Sequence, residues 1–299
     1  MTQVQSGLQQ WFDGDNKDLG GWLVKREPLA REGNLPSLHV LHGNGFCART
    51  LRPATEALYG VGDIWFTDVP GHGLSAQPAH DMPDWLRIAR RVGDALERNS
   101  EGRPVIGIGH SMGGVLTLML AAERPQLFSR IILLDPVLFS PEVVLAQRLM
   151  RKTGLWKRTG LVKAVAARRA LWPDAVTARD ELARKSLYRN WAPEALDEFI
   201  AGGLRPVDEE VALACNPAWE ASIFGSYPRG LWHAVRKLNV RTDILVASES
   251  YGFIARAVRR AVASNANIHW QPVMGTHCFP MESPAMATRL ISDLLKQKV

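Results

Sequence analysis

The chain has 299 residues, of which 46% are hydrophobic, and a net charge of +6, so it is long enough for one α/β domain with an insertion and apolar enough for a sizeable core. No run of about 18 apolar residues occurs, and Met1 to Asp13 lacks a basic stretch followed by an apolar one, so neither a membrane span nor a secretory leader is indicated. Three cysteines, Cys47, Cys215 and Cys278, without C-x-x-C spacing argue against a disulfide framework and a zinc site, which leaves a cytoplasmic chain with reduced thiols as the expectation.

Short β-rich runs alternate with amphipathic stretches over the first 140 residues, the pattern of a mostly parallel sheet flanked by helices. Strands are predicted over 7–12, 20–27, 37–41, 63–68, 104–109 and 130–135, with helices over 49–59, 84–99 and 113–123. In the helix from Asp84, apolar residues recur at Trp85, Ile88, Ala89, Val92, Ala95 and Leu96, which gives one buried face. From Pro141 to Leu238 the pattern turns helical, tryptophan-rich and strand-poor, broken at Gly154, Pro173, Pro193, Gly202, Gly203 and Pro206. Core-like elements then return as strand 242–247, helix 254–264, strand 268–272 and helix 284–296. The expected organisation is therefore a core of 1–140 and 239–299 with a helical cap inserted as 141–238.

Gly109-His110-Ser111-Met112-Gly113 spells G-x-S-x-G between the apolar run 105–108 and helix-forming sequence. A serine at such a strand-to-helix turn adopts a strained backbone that presents its hydroxyl at the carboxyl edge of a parallel sheet. Ser111 is accordingly the candidate nucleophile. A hydroxyl needs a base near neutral pH, and imidazole is suited to that task. Among eight histidines, His277 alone follows the last strand and precedes the terminal helix, so it is the candidate base. An oxyanion would need backbone donors. Met112, just after the serine, is one candidate, and Asn44 in His42-Gly43-Asn44-Gly45 is the other, with Gly45 the next neighbour to test.

Those motifs, with Asp68-Val69-Pro70-Gly71-His72-Gly73-Leu74-Ser75 and Gly275-Thr276-His277, resemble the α/β-hydrolase superfamily over most of the chain outside the cap. The resemblance implies a structural role for Asp68, His72 and Ser75. It also implies a carboxylate that orients His277, usually an aspartate near the position of Tyr251, where this chain reads Ser248-Glu249-Ser250-Tyr251. Two acids remain open. Asp135, at the end of an earlier strand as in members resembling haloalkane dehalogenases, is preferred, and Glu249 is the alternative. Serine at the elbow disfavours dehalogenase and epoxide hydrolase chemistry, which uses aspartate there.

The implied activity is hydrolysis of a small-molecule carboxylic ester with an apolar acyl group, without a cofactor or metal. Thioester, amide or carbon–carbon bond hydrolysis and a non-catalytic ligand-binding member of the fold are the rivals. Within the cap, 148–189 carries twelve lysines or arginines against three acids, a local balance of +9. That bias reads as a solvated face, or as attraction to an anionic substrate or membrane surface, and the absence of a recognition motif argues against nucleic acid. Trp156, Trp172, Trp191, Trp219 and Trp232 read as the cap's own core or as lining of an acyl pocket.

Overall fold

The computed structural model describes residues 7–14, 18–25, 36–58, 62–79 and 83–297. Its elements run β1 (Leu8–Asp13), β2 (Leu19–Val24), β3 (Leu38–Leu41), β4 (Ile64–Thr67), α1 (Trp85–Asn99), β5 (Val105–His110), α2 (Met112–Glu123) and β6 (Phe128–Leu134). There follow α3 (Pro141–Thr153), α4 (Gly160–Ala166), β7 (Leu171–Trp172), α5 (Ala175–Ala183), α6 (Pro193–Gly203), β8 (Leu204–Val207), β9 (Glu210–Leu213), α7 (Pro217–Phe224) and α8 (Leu231–Lys237). The chain closes with β10 (Thr242–Glu249), α9 (Gly252–Ser264), β11 (Ile268–Thr276), α10 (Phe279–Glu282) and α11 (Pro284–Lys296). No helix among the described residues is long and apolar enough to cross a membrane.

Eight strands form one sheet in the order β1-β2-β4-β3-β5-β6-β10-β11, antiparallel at the β1–β2 and β2–β4 pairings and parallel from β4 onward. The central strands are buried on both faces, and their side chains alternate between two apolar layers. Along β6, Ile131 and Leu133 join the layer of α1, α2, α8 and α9, while Ile132 and Leu134 join that of α6 and α11. The same alternation in β10 sends Ile244 and Val246 one way and Leu245 and Ala247 the other. Buried residues of α1 include all six predicted from its spacing, and Asp84 caps it by accepting from the N–H groups of Leu86 and Arg87.

Several expectations are corrected. The helix predicted over 49–59 is instead two 3-10 segments, Ala48–Leu51 and Pro53–Leu58, because Pro53 lacks the N–H and the room that a continuous α-helix needs. Strand 20–27 ends at Val24 within the described residues, and its predicted last two positions, like Tyr59, lie outside them. The segment 141–238 is not strand-poor throughout, since β7, β9 and β8 make a three-stranded antiparallel sheet. Its β8–β9 hairpin turns at Asp208 and Glu209, with Asp208 at φ 51°, so the turn lacks the glycine that would have marked it.

Candidate active site

Register explains why the predicted site residues meet. His110 at the end of β5 pairs with Leu134 at the end of β6, and Leu245 of β10 pairs with the same leucine. Ser111 and Asp135 therefore leave neighbouring strands at one level of the carboxyl edge. Backbone bonds fix both exits: Ser111 donates to the Leu134 carbonyl at 3.1 Å and Asp135 to that of Leu245 at 2.7 Å. Both residues lie at positive φ, 55° for Ser111 and 44° for Asp135, a region that L-residues occupy only when their surroundings enforce it.

At the elbow the enforcement is steric. A Cβ on Gly113 would stand 2.4 Å from the Leu41 carbonyl oxygen, and one on Gly109 would stand 2.5 Å from that of Gly113. Only glycine lets the turn pass this close to β3 and to its own helix. The result is a serine hydroxyl at the start of α2, the helix end whose dipole favours negative charge.

His277 Nε2 lies 2.9 Å from Ser111 Oγ, and His277 Nδ1 lies 2.6 Å from Asp135 Oδ2. The carboxylate fixes the tautomer, with Nδ1–H donating to Asp135 and Nε2 left to accept. Asp135 is fully buried and further held by the Ala247 N–H at 2.9 Å and by the Ser250 hydroxyl. Glu249 is exposed at the end of β10 and does not join this line. Tyr251, the residue near the usual acid position, instead packs its ring 5.2 Å from that of His277.

The loop after β3 lies against the serine, for a Cβ on Gly43 would be 3.1 Å from Ser111 Cβ. Gly45 donates its N–H to His72 Nε2 at 3.0 Å, and the Asn44 side chain donates to the Glu220 carbonyl at 3.1 Å, so both groups are committed. Among the described residues, the backbone N–H groups of Asn44 and Met112 have no acceptor. Asp68 receives the N–H groups of Ala48 and Leu74, and Ser75 ties Gly20 to the Asp68 carbonyl, which are bracing contacts.

Three supports were not read from the sequence. His110, in the middle of the elbow, donates Nε2–H to the His277 carbonyl at 2.9 Å and holds His277 from behind; burial and then the neighbouring His277 push its pKa down to about 3. Ser250 steadies Asp135, a contact hidden by 115 residues of separation. In α7, Trp219 Nε1 donates to the Pro70 carbonyl, and the Glu220 carbonyl takes Asn44, so this segment braces the loop beside the serine. Cys278, next to His277, is buried and pushed up to about 12, which keeps it a thiol. No metal-binding cluster of histidine, cysteine or carboxylate is present among the described residues.

Residues 40–288 match the model of the alpha/beta hydrolase family. The chain belongs to that family. Within it, the chain is 34% identical over 110 residues to human monoglyceride lipase, 35% of this chain and 36% of that one. Human serine hydrolase-like protein 2 is 25% identical over 251 residues, 77% of each chain. The thioesterase domain from the curacin biosynthetic pathway superposes with a TM-score of 0.75 at 15% identity, covering 96% of this chain and 99% of that one, which speaks for the fold alone. The match spans only 39% to 50% of the length of the first curated relatives.

Proposed function

We propose that the protein is a serine hydrolase of carboxylic esters with an apolar acyl portion, acting through a covalent acyl-enzyme. The observation that carries this reading is the unbroken line Ser111 Oγ, His277 Nε2, His277 Nδ1, Asp135 Oδ2, with gaps of 2.9 and 2.6 Å. Ser111 Oγ attacks the ester carbonyl carbon as His277 takes its proton. The Asp135 carboxylate holds the imidazole and balances the charge it gains. The carbonyl oxygen, now an oxyanion, accepts from the N–H groups of Met112 and Asn44. His277 returns the proton to the departing alcohol, and a water repeats the sequence to free the acid.

Support for an apolar acyl group comes from the aromatic set beside the loop: Phe46 lies 5.1 Å from Trp191 and 6.3 Å from Phe199, and Tyr188 lies 4.9 Å from Trp191. In this reading, 141–238 is a lid, its α6 and α7 packed over the core loops. The ester named in the similar human monoglyceride lipase agrees with the assignment. Ser111→Ala is expected to abolish hydrolysis of p-nitrophenyl esters and labelling by a fluorophosphonate, with the circular dichroism melting curve unchanged. Turnover at the parent rate in that variant would remove serine from the mechanism. Esters of graded acyl length, run against thioesters and amides, then identify the scissile bond.

A further inference from the structure

Away from the site, α3 is unusual for a helix of thirteen residues in that none of them is buried. Its inner side rests Val144 against the core, while Leu145 and Leu149, one turn apart on the outward side, are each 56% exposed. Leu155 and Leu161, in the turn after α3 and in α4, are exposed as well, at 47% and 57%. Solvent-facing leucines one turn apart contribute nothing to the core they leave, so their energetic use lies in what covers them.

The same helix supplies cations to a neighbouring cleft of about 400 Å³, which Arg148, Arg151, Lys152 and Arg229 line together with Asp84 and Tyr227. Asp84 is the cleft's single carboxylate and is bound at 2.7 Å by Arg229. Arg151 is held in place, stacked 4.0 Å over the Trp156 ring and bonded to Ser222. Arg148 and Lys152 have no carboxylate within ion-pair distance among the described residues, and the nearest acid on α3 itself, Glu142, is taken by Arg260. Helical geometry sets Arg148 and Lys152 immediately beside Leu145 and Leu149.

We infer that α3 docks the protein on an anionic phospholipid surface, with Leu145 and Leu149 entering the acyl boundary and the Arg148–Lys152 cleft receiving a headgroup phosphate. Cations beside aliphatic side chains match the two chemistries that such a surface presents within a few ångströms of each other. This inference does not depend on the nucleophile, so Ser111→Ala is expected to dock like the parent.

Co-sedimentation of the full chain with vesicles of phosphatidylcholine, alone or mixed with phosphatidylglycerol, tests it. Partition is expected with the mixed vesicles only and is expected to weaken with salt. Arg148→Glu with Lys152→Glu, and separately Leu145→Ser with Leu149→Ser, are each expected to lower partition at least about tenfold with unchanged melting temperature. Equal partition to neutral vesicles, or variants that bind like the parent, would overturn the inference. So would saturable binding of inorganic phosphate without vesicle binding, which marks a soluble-phosphate site, or a leucine-dependent dimer in sedimentation velocity.

Discussion

At the scale of single residues, the acid is the instructive case. Glu249 is nearer in sequence to Tyr251, where the family's acid usually falls, yet it is exposed, whereas Asp135 lies 142 positions before His277 and meets it at 2.6 Å. Asp135 is also fully buried with its carboxylate hydrogen-bonded on both oxygens: an N–H, a hydroxyl and an imidazole N–H all donate to it. Asp135→Asn is therefore expected to lose about 10⁴ in kcat, since the amide leaves the imidazole in the wrong tautomer, while Glu249→Gln keeps the parent rate. Steady-state rates of the two variants on one ester decide it, and the reverse order would transfer the role to Glu249.

Elements rather than residues create the elbow. β5 delivers Ser111, α2 carries it away, and the crossing is possible because Gly109 and Gly113 let backbone meet backbone at distances that no Cβ survives. Gly113→Ala would force the β3 end apart from α2, at the Leu41 and His42 carbonyls that border the loop of Asn44. A misplacement of about 1 Å there is expected to cost around 10²-fold in rate, along with a lower melting temperature. Activity and stability equal to the parent would show that the elbow tolerates a side chain. The elements of 141–238 add a second lesson, for α7 reaches the core loops through Trp219 and Glu220 although its sequence offered no chemical motif.

Across the whole molecule, the buried histidines set the response to acid. His39 and His110 are pushed down to about 3, His72 to about 4 and His42 well below its ordinary 6.5, burial being the first cause for each. A depressed folded pKa gives stability that is present above 6.5 and is lost as pH falls toward the folded values, because the unfolded chain then binds protons that the core refuses. Asp68 and Glu220, both raised to about 7 by burial, act oppositely: their contribution is present below their ordinary values and is lost as pH rises toward 7. Four histidines outweigh two carboxyls between pH 6.5 and 4. The urea midpoint is expected to fall on acidification through that window, and a flat or rising midpoint would mean that these imidazoles are charged in the fold.

What could be read in the chain was whatever short-range physics writes there. Alternating apolar runs marked the strands, the six-residue apolar face marked α1, glycine spacing around Ser111 marked the elbow, and the loop before the terminal helix marked His277. Family likeness added a requirement for an acid and left two candidates. That Asp135, and not Glu249, faces His277 follows from the register of β6 against β10, because hydrogen bonding depends on distance through space and the groups bonded to Asp135 lie more than a hundred positions away. The bracing by His110, Ser250 and Glu220 and the cleft beside α3 likewise exist only once the sheet has closed, since each joins groups that the sequence keeps apart.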